Sequence, residues 1–483
     1  MTNPVKNNST SLFAFFASLF LLTLCITLFA GQWLLIIFPF VILFFYYGWQ
    51  TLQPVFFLLL FSLPWSAEFK FNETLGTDMP DEPLMVFASL LSFANWLYKP
   101  SLISKRIWQH PLILFLLIHA GWIIVTVLFS SDAMVSFKFL LAKSWYVVAF
   151  VFSPFIIFKN KKTIRTAALV FLFSILGVTI IVLARQYATG FSFKHINEAL
   201  TPFFRNHVNY SAMLVCSFPV LIACFQLNKG KFNLRFIILI AMLVVLAALL
   251  LSFARGGWLA LIIGCFAYWL IRRKLLLKVF IAGVLVTIAS VFWLKSNDRY
   301  LQFAHDYKTT IFHTDFREHL FATYQLKDVS TAERFYRWIA GIRMVKDNWL
   351  TGYGPATFSN SYKPYAIPAF KTWVSANKDH STVHNYFLLT MIEQGVPGLI
   401  FFLLLTGAML FYVQHLYYRI NDAFYKMVSI TTGAILTMII TVNFLSDLIE
   451  TDKIGSLFFL CLSVLVVIDI NTRYNGEINS NFY

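Results

Sequence analysis

The sequence predicts an all-α polytopic membrane protein of about 12–14 transmembrane helices with one large extramembrane loop. Three observations predict it. The chain has 483 residues, 59% of them hydrophobic and only 12% charged, with a mean hydropathy of +0.71; a soluble domain carries roughly 25% charged residues. Apolar runs near the roughly 20 residues that cross a bilayer recur along the chain. The basic residues gather in short connectors on alternate sides of successive runs, so that all can face one compartment.

The candidate spans are 11–30, 32–48, 51–64, 83–98, 112–130, 138–158, 166–185, 208–227, 235–252, 255–271, 278–295, 386–413, 427–446 and 455–470. The first follows Lys6, has no clear cleavage site and precedes many others, so it reads as a span rather than a signal peptide. The expected organisation is an N-terminal bundle over 1–200, helices with the Arg255 motif over 201–295, a loop over 296–383, C-terminal helices over 384–470 and a tail over 471–483.

The connectors fix the expected sidedness. They hold Lys99, Lys105 and Arg106; Lys159, Lys161, Lys162 and Arg165; Lys229, Lys231 and Arg235; Arg272, Arg273, Lys274 and Lys278. With Lys6, Arg419, Lys426 and Arg473 that side carries 18 basic residues against Asp422, Asp469 and Glu477, an excess of 15 in a net charge of +16. The positive-inside rule makes this face cytoplasmic. Basicity here reports topology, and no nucleic-acid partner is needed to explain it. The cysteines Cys25, Cys216, Cys224, Cys265 and Cys461 all lie in apolar runs, which supports neither a disulfide framework nor a metal site.

The other face is different in kind. Its loop 65–82 is acidic (Glu68, Glu73, Asp78, Asp81, Glu82). The loop 296–383 with its flanking His384 holds five of the ten histidines: His305, His313, His319, His380 and His384. A loop that long is expected to be functional. Within it "STAERFYRWIAGIRMVKDNW" reads as an amphipathic helix ending near Asp347. Ser330 and Glu333 are spaced as a capping box, and Phe335, Trp338, Ile339, Ile342 and Val345 share a face. Arg334 and Arg337 lie along one edge, most often a solvated position. "GYGP" at 352–355 then reads as a turn.

Arg255, in "LSFARGGWLALIIG", maps to the outer membrane boundary. A charge there is costly unless paired, although an Arg at a helix end can also snorkel. His384 and Asn385 open a run to residue 413 that would be about 45 Å long as one helix, so a kink is expected near Gly395–Gly398. Glu393 is half a turn out of phase with His384; it is expected to pair with another span rather than orient the imidazole. Lys138, Lys143, Arg185, Arg205, Arg255, Asp447, Glu450 and Asp452 also map to the outer boundary. Transporters place ionisable residues near the midplane. Collecting them at one face suits chemistry on a membrane-anchored substrate whose polar head lies outside, and argues against a flippase or other transporter.

Three stretches, "FARGGWL", "ERFYRWIAGIRMVKDNWLTGYGPATF" and "HNYFLLTMIEQGVPGL", resemble in order and spacing the signature of the bacterial O-antigen ligase and O-antigen polymerase superfamily. "FRNHVNYSAML" (204–214) resembles a further element of it, and Phe253 departs from the Ser or Thr frequent at that place. The resemblance covers about residues 200–410. It implies a glycosyltransferase-C-like fold in the bacterial inner membrane with the large loop in the periplasm. It implies transfer of a glycan from an undecaprenyl-diphosphate donor to an acceptor hydroxyl: lipid A–core for a ligase, a lipid-linked repeat for a polymerase, a protein Ser or Thr in a third branch. Carried over, the catalytic residues are His384 as base with Arg255 and Arg334 on the diphosphate. Arg337, Asn385, His380, Arg205, Asn209 and Lys143 are the expected substrate-binding set, with His380 the fallback base. No metal or other cofactor is expected, since cations meet the charge on the leaving diphosphate.

Overall fold

The computed structural model describes residues 51–70, 76–303, 329–368 and 381–480, together with Lys371, Ser375 and scattered positions among 18–48. The expected spans 11–30 and 32–48 fall largely outside the described residues, as do His305, His313, His319 and His380.

Counting helices of ten or more residues, the chain runs through α1 (Leu52–Ser62), α2 (Asp81–Tyr98), α3 (Pro111–Leu128), α4 (Ala133–Val147), α5 (Lys161–Ala188), α6 (His207–Leu227) and α7 (Phe232–Leu251). It continues through α8 (Arg255–Arg272), α9 (Leu276–Lys295), α10 (Val329–Asp347), α11 (Tyr386–Arg419), α12 (Ala423–Asn443) and α13 (Asp452–Ser480). Among the described residues nine helices are long and apolar enough to cross a membrane: α3, α4 with its continuation to Ile157, α5, α6, α7, α9, α11, α12 and α13. Helices α2 and α8, of 18 residues each, carry more polar sequence, and α1 is short at 11 residues. This is a mostly helical, polytopic membrane protein.

Side-chain contacts sort the helix ends onto two faces. At the basic face His110 Nε2 lies 3.2 Å from Asp469 Oδ2, and Arg419 and Arg473 close on the same carboxylate. Lys161 pairs with Asp422 at 2.5 Å, and the Tyr418 hydroxyl donates to Arg272 O. At the opposite face Lys453 Nζ donates to Leu63 O at 2.7 Å, the Gln186 amide donates to Leu251 O at 3.0 Å, and Tyr386 N donates to Ser446 O at 2.9 Å. The alternation of connectors expected from charge is thus the alternation of the fold.

The opposite face has structure of its own. Residues 67–70 and 76–79 form an antiparallel hairpin, β1 and β2, with Glu68 opposite Asp78. Two like charges directly opposed repel, and Arg205 answers them: its Nε is 3.5 Å from Glu68 Oε2 and its Nη2 3.9 Å from Asp78 Oδ2. Burial still raises the Asp78 carboxyl to about 6, with the charge of Asp452 adding to the effect. Above α11, helix α10 forms a second apolar cluster through Tyr336, Ile339, Met344, Leu389 and Ile392. Its Ser330 side chain, half of the expected capping box, lies outside the described residues.

Candidate functional site around His384

The His384 region is assembled from three elements. Helix α10 supplies the first through its buried Arg337, whose Nη1 donates to Thr382 O at 3.0 Å. Arg337 is held by Glu333 at 3.2 Å, one turn earlier, and Glu333 also accepts from Ser375. The indole of Trp338 donates to Val383 O at 2.9 Å. Two successive carbonyls before His384 are therefore tied to α10. The amphipathic helix positions the histidine segment, and its Arg337 is turned inward on the chain's own backbone instead of lying on a solvated edge.

The start of α11 supplies the second. Asn385 caps the helix, its Oδ1 accepting from Leu388 N at 3.0 Å, which leaves one orphan donor fewer at the N-terminus. His384 immediately precedes it at φ +52°, and its own N–H meets Thr382 Oγ1 at 3.3 Å. The third element is the turn after α12. Asp447 there lies with Oδ1 3.8 Å from His384 Nδ1, and its Oδ2 accepts from Thr382 Oγ1 at 2.5 Å. At 3.8 Å the imidazole contact is an ion-pair approach rather than a hydrogen bond. Burial pushes the Asp447 carboxyl up, but His384 and Thr382 more than offset this and hold it below the usual carboxylate range. The carboxylate thus stays ionised 3.8 Å from one ring nitrogen of a partly exposed imidazole, placed to favour the imidazolium when that ring takes up a proton.

Sequence reasoning placed Asp447 at this boundary without assigning it to His384. The expectation for Glu393 needs a larger correction. Glu393 does not orient His384, as its helical phase requires, but neither does it pair with another span. It accepts from the backbone N–H groups of Ala356 at 2.9 Å and Phe358 at 3.1 Å. The reason is the kink: α11 breaks at Gly395 (φ 72°, ψ 178°), freeing backbone groups. Residues 349–358 fill them, with Tyr353 N donating to Ile392 O (3.0 Å), Gly354 N to Glu393 O (2.9 Å) and Val396 N to Trp349 O (2.8 Å). The "GYGP" stretch is a clasp threaded into the broken helix.

Arg255 opens α8 beneath a tight turn. Phe253 sits at φ +56°, Ser252 Oγ donates to Leu249 O at 2.6 Å, and the Trp258 indole reaches back to the same carbonyl at 2.8 Å. Gly257 lies so close to Ser211 of α6 that a Cβ would meet its Oγ at 2.9 Å. This docks the Arg255 end of α8 against α6, near the helix start that bears buried Asn209 and is capped by Asn206. Arg334 is half-buried on α10, one turn before Trp338. Lys143 is buried, with its Nζ 3.0 Å from Glu450 Oε2, three positions beyond Asp447. Arg205 belongs to the hairpin. The described contacts thus join His384, Asn385 and Arg337 in one assembly, while Lys143 and Arg205 engage carboxylates of neighbouring segments.

Comparison with known families bears on this assembly directly. Residues 239–403, from within α7 through the kink of α11, match the O-antigen ligase family model. This match supports the resemblance to the O-antigen ligase and polymerase superfamily. No curated protein matches it. The matched segment contains Arg255, α10, the clasp and His384, whereas Asp447 lies beyond its end. Members of that family are membrane glycosyltransferases, which supports an enzyme at that coarse level.

Proposed function

We propose that the protein transfers a glycan from undecaprenyl diphosphate to an acceptor hydroxyl at the periplasmic face of the inner membrane, as an O-antigen ligase acting on lipid A–core, with a glycosyltransferase-C-like arrangement of helices. The observation that carries this reading is His384. It stands at the face away from the basic connectors, backed by ionised Asp447, within a segment that matches the ligase family.

The chemistry needs two things from the chain. The acceptor hydroxyl has a high pKa, and its oxygen becomes nucleophilic as a neutral imidazole takes its proton. That oxygen bonds to the anomeric carbon as the carbon–oxygen bond to the diphosphate breaks, inverting the centre. The departing diphosphate carries the electron pair and gathers negative charge, which fixed cations stabilise. Arg255 is suited to this by its place. As the first residue of α8 it adds a guanidinium to helix N–H groups that already favour an anion. Arg334 is the proposed second half of the clamp. Arg337 supports from behind through Thr382 O.

His384→Ala is the test. The purified variant retains affinity for the lipid-linked donor and loses about 10²–10⁴ in turnover with acceptor, the usual worth of a general base. Normal turnover in His384→Ala refutes the assignment. Deletion of the gene with gel analysis of surface glycan separates the acceptors: full-length unligated chains identify a ligase, single repeats a polymerase.

A further inference from the structure

At the basic face, remote from His384, the helices α1, α5, α6, α12 and α13 leave a cavity of about 140 Å³ between them. Its walls are almost wholly apolar, formed by side chains such as Phe171, Cys216, Val220, Val428 and Leu460. An apolar space of this size suits a short length of hydrocarbon; the well-known engineered cavity that binds benzene is about 150 Å³. Phe158, Leu227 and Phe424 line it too, and each adjoins a connector of the basic face, so the cavity opens where that face begins.

One cation stands in the lining, Arg165. It is exposed, and its Nη2 reaches Asn228 Oδ1 at 3.5 Å, the limit of a hydrogen bond. Lys162, Lys229 and Lys231 are exposed in the two connectors that this contact joins. A hydrocarbon slot topped by a bidentate phosphate binder and further cations matches a molecule with an apolar chain and an anionic head. Basic pockets between helices at this membrane level recognise anionic lipid headgroups, and a planar guanidinium pairs with phosphate through two parallel bonds.

We propose that this cavity seats a segment of one acyl chain of an anionic phospholipid from the leaflet facing the basic connectors, with the lipid phosphate on Arg165. The inference stands apart from glycan transfer. It requires only that the bundle spans a membrane, and its site lies at the opposite end from His384. The bound lipid would pack α5, α6, α12 and α13 together where they do not fill the space themselves.

The test uses the full chain in detergent, equilibrated with equimolar phosphatidylglycerol and phosphatidylcholine of identical acyl chains and read by native mass spectrometry. Wild type retains phosphatidylglycerol in preference, and Arg165→Ala reduces that preference about fivefold, the worth of one cation near an anionic lipid surface. Val220→Phe and Ala168→Phe, on different helices, fill the cavity and lose both lipids. If neither filling variant folds, the Arg165→Ala arm decides alone. Equal retention of the two lipids by wild type, an unchanged preference in Arg165→Ala, or lipid kept by a well-folded filling variant overturns the proposal. So does stronger retention of undecaprenyl phosphate than of phosphatidylglycerol in a parallel competition.

Discussion

His384 occupies a backbone conformation that a β-carbon resists, at φ +52°, a cost of about 1–3 kcal/mol borne only where surrounding bonds impose it. Those bonds are visible: Arg337 on Thr382 O, Trp338 on Val383 O, and the Asn385 cap just after. They aim the imidazole at Asp447. Asp447→Asn keeps the side chain's shape but removes the charge that favours a protonated imidazole. We expect it to lower turnover by up to about 10²–10⁴, the span of general-base catalysis, with donor affinity near wild type; turnover within twofold of wild type would reduce Asp447 to a structural neighbour. His384 and Asn385 were singled out in the sequence through the resemblance carried by "HNYFLLTMIEQGVPGL". Asp447 was not, because 65 positions separate it from Thr382 and several outer-face carboxylates were equal candidates. Glu393 shows a different limit. Its phase excluded a role on His384, but its partners are backbone N–H groups, which leave no mark in composition or spacing.

Among the elements, the broken helix α11 and its clasp answer most directly to sequence. Length and the Gly395–Gly398 cluster called for a kink; what filled it was hidden, since backbone pairing between 349–358 and 392–396 has no side-chain signature. Gly395 lies in a region of φ and ψ open essentially to glycine, and a Cβ there would stand 2.0 Å from Leu350 O. Gly395→Ala is therefore expected to destabilise the clasp by at least about 1–3 kcal/mol, seen as proteolytic sensitivity of 349–358 and lost transfer; unchanged protease resistance would contradict this account of the break. The β1–β2 hairpin gives a pH prediction. With its pKa raised to about 6 over an ordinary value near 3.9, Asp78 holds its proton more tightly folded than unfolded. Its stabilising contribution is fully present below about pH 3.9 and is lost as the pH rises through about 6. Hydrogen exchange of the hairpin amides, corrected for intrinsic rate, should be slower at pH 5 than at pH 7.5, and Asp78→Asn should flatten that difference.

For the whole molecule, threading is the level at which charge alone was most informative. The connectors carrying Lys159 to Arg165, Arg272 to Lys278 and Arg419 meet at one face through the Lys161–Asp422, Tyr418–Arg272 and Arg419–Asp469 contacts. Which compartment that face meets is set by the membrane and not by packing, and the proposed transfer requires it to be the outer one. Clustered Lys and Arg in short loops are retained on the cytoplasmic side, so the face bearing α10, the clasp and His384 is expected in the periplasm. Single cysteines at exposed Lys346 and Lys363, in a background lacking the native cysteines, should react with a membrane-impermeant maleimide in intact cells once the outer membrane is permeabilised. Cysteines at Lys162 and Lys231 should react only after the inner membrane is opened. The reverse pattern would put His384 in the cytoplasm, away from the proposed acceptor, and the transfer reading would fall with it. The packing of His384 against Asp447 would stand regardless, because it depends on which helix ends meet and not on the side of the membrane they face.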